Sequence, residues 1–539
     1  MENKNTIIAV VLMIAVWFGF SVLFPQHAPQ KAENAAPAAA NTAPATPAPS
    51  EATPSGISGS SSMQLLDNTG NDASGKQITV ETSLYRAVFT TSGGRLTDFT
   101  LKKYKETTAP SSQLVALVSE INHAGSLLLS GTDSLGISPS AVYRTDSADQ
   151  VKIENGGKAE IHFITQTPAG LVVEKVFEFS DGSYAFNLKV NVVNDSKNTL
   201  QGTIGLSLIH PWDPEHPGGR YDYIGPASLV AEKVQTAKIA DLEKTPQVFG
   251  KDTVWTGFED KYFMDIGVPL HGIAEKVIVE KNNLGIENRI QSGYLTLNPQ
   301  QSQTLGYLFY FGPRDLDVLK TLDHQLSKAI DFGFFSILAR PLLHVLKFFY
   351  SYVGNYGIAI ILITVIIKLI FWPLTQKSYA SMKGMQKLQP EMQKIREKYK
   401  NDKERLNREM MELYKTHRVN PLGGCLPMIV QIPVFFALYK VLLNSIELRH
   451  AHFAFWLTDL SAKDPYYITP LIMGVTMFLQ QKMTPSTMDP KQAKIFMLMP
   501  VVFTFLFLNF PSGLVIYWLV NNLLTILQQY FINRKPVSA

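Results

Sequence analysis

The chain has 539 residues, 46% hydrophobic and 17% charged, with a formal net charge of +4. That is less charge than the roughly 25% of soluble domains, and the length admits two or more domains. The lone Cys425 excludes an internal disulfide, and no CxxC or Cys/His zinc spacing is present.

Thr6 to Phe24 is a continuous apolar run with Lys4 just before it. It exceeds the about 7–15 residues of a signal-peptide apolar region. No small-x-small cleavage site follows closely in Pro25-Gln-His-Ala-Pro-Gln30. Residues 1–27 therefore read as a retained transmembrane anchor with a cytoplasmic N-terminus. Residues 28–75, rich in Ala, Pro, Ser and Thr, cannot bury a core and read as a disordered linker.

From Lys76 the pattern changes to short alternating runs, such as Val172-Val-Glu-Lys-Val-Phe-Glu-Phe179 and Ala185-Phe-Asn-Leu-Lys-Val-Asn-Val192. Turn residues such as Gly93-Gly94 and Asp181-Gly182 separate them, which predicts a large β-sandwich to about Pro313. Pro313 to Asp331 reads as a helix with Leu316, Leu319, Leu322 and Leu326 on one face. Phe332 to Tyr352 (segment 332–353) puts Arg340, His344 and Lys347 at helical spacing on one face, the pattern of an amphipathic interfacial helix.

The next apolar run, Ile358 to Leu374, contains Lys368. A charge there costs roughly 2.5–3.5 kcal/mol on insertion scales, so it needs a partner, a water-filled cavity or a function. Snorkelling to the interface is the simpler account. If the amphipathic segment does not cross, this run returns inward and the basic loop 376–420 is cytoplasmic, as the distribution of Lys and Arg demands. Met382, Met385, Leu388, Met392 and Ile395 form one stripe of that loop; Leu406, Met410, Leu413 and Tyr414 form another. Asn401-Asp402 turns the chain between them. The stripes either pack on each other or, with Lys394, Arg396 and Lys398, form a docking surface for lipid headgroups or a cytoplasmic partner.

Four further apolar segments follow: Cys425–Leu443, Tyr466–Leu479, Ile495–Phe510 and Ser512–Leu527. The expected count is six spans with both termini cytoplasmic. Thr364, Gln431, Asn444, Thr476, Thr504, Asn509, Asn521, Asn522 and Thr525 are polar, uncharged span residues. With Lys368 they suggest a hydrated cavity, although ordinary interhelical hydrogen bonding explains most of them singly. No carboxylate sits mid-span, which disfavours a coupled transporter. The His210-Pro-Trp-Asp-Pro-Glu-His216 loop gathers imidazoles and carboxylates, but its prolines make it stiff and no second cluster matches it, so no metal is expected. Without a GxSxG elbow or a phosphate-binding loop, nothing argues for an enzyme.

Several of these segments carry a resemblance. Asn355-Tyr-Gly-Ile-Ala-Ile-Ile-Leu-Ile-Thr-Val-Ile-Ile-Lys368 with Pro373-Leu-Thr375 resembles the second span of the YidC membrane protein insertase family. Asn420-Pro-Leu-Gly-Gly-Cys-Leu-Pro427, Gln431-Ile-Pro-Val-Phe435, Asp464-Pro-Tyr-Tyr467 and Phe510-Pro-Ser-Gly-Leu-Val-Ile-Tyr517 add to it. So do Asp331-Phe-Gly-Phe-Phe335 and Tyr310-Phe-Gly-Pro-Arg314. The resemblance implies a multi-span α-helical inner-membrane protein with six transmembrane helices, five of them forming an insertase core (354–530). It also implies a periplasmic all-β supersandwich ending in a helix (76–331) and a short cytoplasmic tail (531–539).

The implied activity is insertion and folding of nascent inner-membrane proteins, alone or with the Sec translocon, through a hydrophilic groove open to cytoplasm and lipid. Lys368, Thr364, Gln431, Phe435, Tyr517 and Trp518 match its groove positions, with Lys368 attracting acidic residues of an incoming tail. Membrane lipids and the ribosome or signal-recognition machinery are the further implied partners; no cofactor and no specific nucleic-acid sequence is. The chain departs from the family in carrying Lys368 where Arg is usual, and Trp518 where a second Tyr is usual. Lys keeps the charge but loses the bidentate fork. The lightly basic tail makes the hairpin the better site for ribosome contact. A small-solute channel or transporter is the alternative.

Overall fold

The computed structural model describes residues 75–119, 125–212, 223–417, 419, 426–484 and 497–534. The anchor 1–27, nearly all of the linker 28–75 and the tail beyond Arg534 lie outside them, as do most of the Asn420–Pro427 motif and Asp213, Glu215 and His216 of the stiff loop.

Twenty strands run from Gln77 to Pro313 among the described residues. The largest sheet has eight strands. At its centre Ser302–Pro313 pairs antiparallel with Phe263–Pro269 on one side and Ala185–Asn194 on the other. Leu171–Ser180 and Lys158–Gln166 continue it to one edge. Two five-stranded sheets accompany it, one built around Tyr85–Thr90 and the other around Gly285–Ser292. The period-two pattern places Val173, Phe177 and Phe179 on the core face, where the Phe89 ring from the first five-stranded sheet lies 4.7 Å from Phe177. Side chains of facing sheets interdigitate in this way to make the core of a β-sandwich.

The same alternation carries Lys175 inward, fully buried. Its ammonium donates to the carbonyls of Gly94 and Leu127, and lies 5.7 and 5.5 Å from the ring centroids of Tyr143 and Phe177. Gly93 and Gly94, with φ of 78° and 50°, form the turn that presents that carbonyl. Burial pushes the ammonium down to about 7. An unfolded lysine titrates near 10.4, so between about pH 7 and 10 the unfolded chain binds more protons and stability rises with pH. Thermal unfolding of the full chain in detergent, followed by fluorescence of the buried Trp255, is expected to shift upward from pH 7 to 9 in wild type. The shift should shrink in Lys175→Met; equal slopes would show that Lys175 is not the titrating group.

The single helix expected over 313–331 is two pieces, Leu316–Thr321 and the 3₁₀ turn Leu326–Ala329. Leu322 is extended and His324 and Gln325 are left-handed, so the chain folds back to bury Leu326 beside Leu316 and Leu319. The interfacial helix is Ser336–Val353, closed by Gly354 at φ 63°. It buries Ala339, Leu343 and Leu346 and leaves Ile337, Phe348 and Tyr352 exposed. The expected polar face is partly consumed, because Lys347 reaches Asp315, Asp317 and Glu447.

Asn355 caps the long helix Tyr356–Lys387, accepting from the Ile358 amide at 3.1 Å. Its 32 residues pass through Pro373 without ending. At 1.5 Å per residue it is about 48 Å long, well beyond a hydrocarbon core of about 30 Å. The first arm of the hairpin is thus partly a continuation of the span rather than a separate element beginning at Gln376. Gln389–Lys398 and Lys403–Thr416 complete the hairpin, with Asp402 capping the second arm by accepting from the Arg405 amide.

Leu426–Asn444, Ile468–Met483, Met499–Phe507 and Ser512–Arg534 follow. Among the described residues only Tyr356–Lys387 and Ser512–Ile532 are long and apolar enough to cross a membrane; Val430–Asn444 is apolar but shorter. The loop between the first and second of these four helices is ordered by Asp464. Its carboxylate accepts from the Trp456 indole and from the amides of Tyr466 and Thr469.

Candidate functional site

The last helix, Ser512–Arg534, carries polar residues on the faces it turns to its neighbours. Thr525 accepts from the Lys368 ammonium at 2.7 Å, and Gln528 reaches the Trp372 carbonyl at 3.4 Å. Gln529 donates to Tyr379 Oη at 2.7 Å and to Thr484 Oγ1 at 2.8 Å. Gln431 donates to Asn521 at 3.1 Å, and Asn522 approaches Thr476 at 3.4 Å. The pairings fix helix directions. Residue numbers rise together along the long helix and the last one, and along Ile468–Met483 and the last one. They run opposite for Leu426–Asn444, where Gln431 faces Asn521 and Phe435 stacks 6.2 Å from Tyr517.

An aromatic cluster adjoins this seam toward the Ser512 end of the last helix. Phe435 meets Trp518 edge-on at 4.9 Å, and Phe503 and Phe507 close on Trp518 at 6.1 and 5.1 Å. Lys368 lies thirteen residues past the Asn355 cap. That is about 20 Å along the axis from the cap, toward the hairpin end of the helix. Its one polar partner among the described residues is the neutral Thr525 hydroxyl.

The expected groove residues therefore separate into two groups. Lys368 and Gln431 belong to the polar seam, and Phe435 and Trp518 to the aromatic cluster; Tyr517 stacks in the cluster and meets Gln431 through its hydroxyl. Thr364 joins neither by a hydrogen bond: it is buried, and its hydroxyl donates back to the Ile360 carbonyl at 2.6 Å. Gln528, Gln529 and Tyr379 are seam residues that the sequence reading missed. The signal was there in the helical spacing of Asn521, Thr525 and Gln528, beyond the polar positions that were singled out.

In the hairpin, Met385 and Met392 are buried with Leu388 against Met410, Leu413 and Tyr414. Those two methionines are not available as a docking surface, because the two stripes satisfy each other. Met382 stays half-buried, Arg396 half-buried, and Lys394 and Lys398 exposed. In the β domain, His210 stacks flat on Phe258 at 3.6 Å with Nδ1 3.4 Å from Asp265. Among the described residues no cluster of His, Cys, Asp or Glu forms a metal site.

A folded β domain joined to a bundle of apolar helices, whose interior holds a cation beside hydroxyls and amides, has the make-up of an integral membrane protein. The family described as 60Kd inner membrane protein matches residues 348–538, and that described as YidC periplasmic domain matches residues 77–345. A membrane protein insertase YidC of Citrifermentans bemidjiense is 49% identical over 533 residues, 99% of either chain. That of Geobacter sulfurreducens is 47% identical over 538 residues, 100% of this chain and 99% of the relative. A solved active YidC insertase aligns over 85% of this chain and 92% of its own at 18% identity, with a TM-score of 0.36. The chain belongs to the YidC membrane protein insertase family. It is an inner-membrane protein insertase with a periplasmic β domain, and not an enzyme.

Proposed function

We propose that the polar seam is the groove through which the tail of an incoming span passes. Lys368 is its attracting cation and the aromatic cluster of Phe435, Tyr517 and Trp518 its apolar wall. The observation that carries this reading is the Lys368 ammonium deep in the long helix, with the Thr525 hydroxyl as its one polar partner among the described residues. A buried cation without a carboxylate is costly unless water or a transient anion reaches it. An acidic tail supplies that anion. Burial of the substrate's own apolar span in lipid then supplies the free energy, so no nucleotide is needed.

The helix directions support alternating spans across residues 354–530, with the hairpin 376–420 and both termini in the cytoplasm and six spans in all, the first being the anchor 1–27. On that topology the exposed Ile337, Phe348 and Tyr352 of the interfacial helix rest in lipid on the periplasmic side. The exposed Lys394 and Lys398 of the hairpin face the ribosome, the signal-recognition machinery or lipid headgroups. The Sec translocon is the companion for substrates with several spans. No observation favours small-solute transport.

The test uses proteoliposomes containing only this protein and a single-span substrate with a short acidic tail. The tail should become protected from added protease. Absence of protection with correctly oriented, folded protein would rule the groove out.

A further inference from the structure

We infer that Thr525 is a positioning residue for insertion: its hydroxyl oxygen holds the Lys368 ammonium in the groove without neutralising it, leaving that ammonium exchangeable onto a substrate carboxylate. The inference rests on the groove reading above. Its basis is the direction of two hydrogen bonds. Thr525 Oγ1 donates its one proton to the Asn521 carbonyl at 2.7 Å, so only a lone pair remains to face Lys368 Nζ, also at 2.7 Å. The hydroxyl can only accept from the cation.

Asn521 is itself held by the Gln431 amide at 3.1 Å, which ties the arrangement to a third helix. Thr364, Thr375 and Thr504 make the same bond to the carbonyl four residues back, so the bond alone is ordinary helix chemistry. Thr525 adds a cation from another helix. It is almost fully buried, which fixes the acceptor end of the pair, while Lys368 keeps partial exposure.

An ammonium has three N–H donors. Thr525 takes one and leaves two for an arriving carboxylate. A carboxylate at position 525 would instead form a charge-assisted pair, roughly twice as strong as a neutral bond, and would compete with the substrate. A valine would leave a long, flexible lysine stem with no acceptor, free to turn toward the interface.

The experiment measures protected substrate in proteoliposomes of full-length protein, for one probe whose tail carries two aspartates and one whose tail carries two asparagines. Thr525→Val is expected to lower insertion of the acidic probe roughly fivefold, the factor for one ordinary hydrogen bond, and to lower the neutral probe less. Thr525→Ser should restore the acidic probe. Thr525→Asp should depress it as far as Lys368→Ala does. If Lys368→Ala impairs the acidic probe but Thr525→Val does not, the positioning role is overturned and the groove stands. If Thr525→Val lowers both probes alike and serine does not rescue, Thr525 is merely structural and the inference fails. If Lys368→Ala itself leaves the acidic probe untouched, the groove reading fails and takes the inference with it.

Discussion

Lys368→Ala is expected to cut insertion of acidic-tailed single-span substrates by roughly ten- to a hundredfold. That is the factor for losing one hydrogen bond to a charged group, worth about 1.5–3 kcal/mol. Neutral-tailed substrates should be far less affected, and Lys368→Arg should retain activity because the charge persists and the fork geometry is added. The loss would not reflect unfolding. The lysine has no carboxylate partner among the described residues, so its removal strands no opposite charge. The thermal midpoint of the alanine variant should equal or exceed that of wild type, since a cation in an apolar bundle is itself a liability. Insertion assays beside thermal unfolding in detergent check both parts. Equal insertion of acidic tails by the alanine variant would make the charge dispensable.

Lys347→Ala should have the opposite profile, a loss of stability first. Lys347 joins three segments: it lies 2.7 Å from Asp317 and 3.2 Å from Asp315 at the end of the β domain, and 2.6 Å from Glu447 in the turn after Leu426–Asn444. Burial works against this ammonium, yet Glu447, Asp317 and Asp315 together raise it above the ordinary lysine range. Burial also raises Glu447, which is nearly enclosed. Removing the lysine leaves that carboxylate buried and unpaired, a loss of about 3–5 kcal/mol.

The pH dependence has a definite sign. A carboxyl whose folded pKa is raised binds more protons folded than unfolded, so stability falls as pH rises above the ordinary glutamate value of about 4.3. The alanine variant should therefore regain stability relative to wild type as the pH is lowered from 7 toward 5. Thermal midpoints at the two pH values check this. A variant as stable as wild type at pH 7, or one without recovery in acid, would show that the cluster does not fasten the β domain to the bundle.

Much of the architecture was legible in the chain. Alternation in Val172–Phe179 marked the strand Leu171–Ser180, because a period of two places every second side chain in the core whatever the sheet's topology. Asn355 and Asp402 cap helices through a side-chain oxygen and a local amide, a local signal that was legible in the chain although only the turn at Asp402 was drawn from it. The Asn401-Asp402 turn and the two Met/Leu stripes likewise specified the hairpin. The broken helix after Pro313 was not legible, since its leucine spacing suits a helix and only the shared core explains the fold-back of Leu326.

The site divides in the same way. The sequence by itself determined that a lysine stands deep in an apolar run, that polar residues recur in the last segment, and that the motifs are those of this family. It could not rank those polar residues, because a threonine such as Thr364 that bonds its own helix reads the same as Thr525, which holds a cation. Helical spacing fixes which face a residue is on, but not which neighbouring helix lies opposite. Only the tertiary structure decided that Lys368 meets Thr525, that Gln431 meets Asn521, that Met385 and Met392 are spent in the hairpin's core, and that Lys347 binds three carboxylates drawn from segments more than a hundred residues apart. The physical reason is that each of these contacts is made across chain segments, where pairing is set by packing of whole elements and not by any local preference.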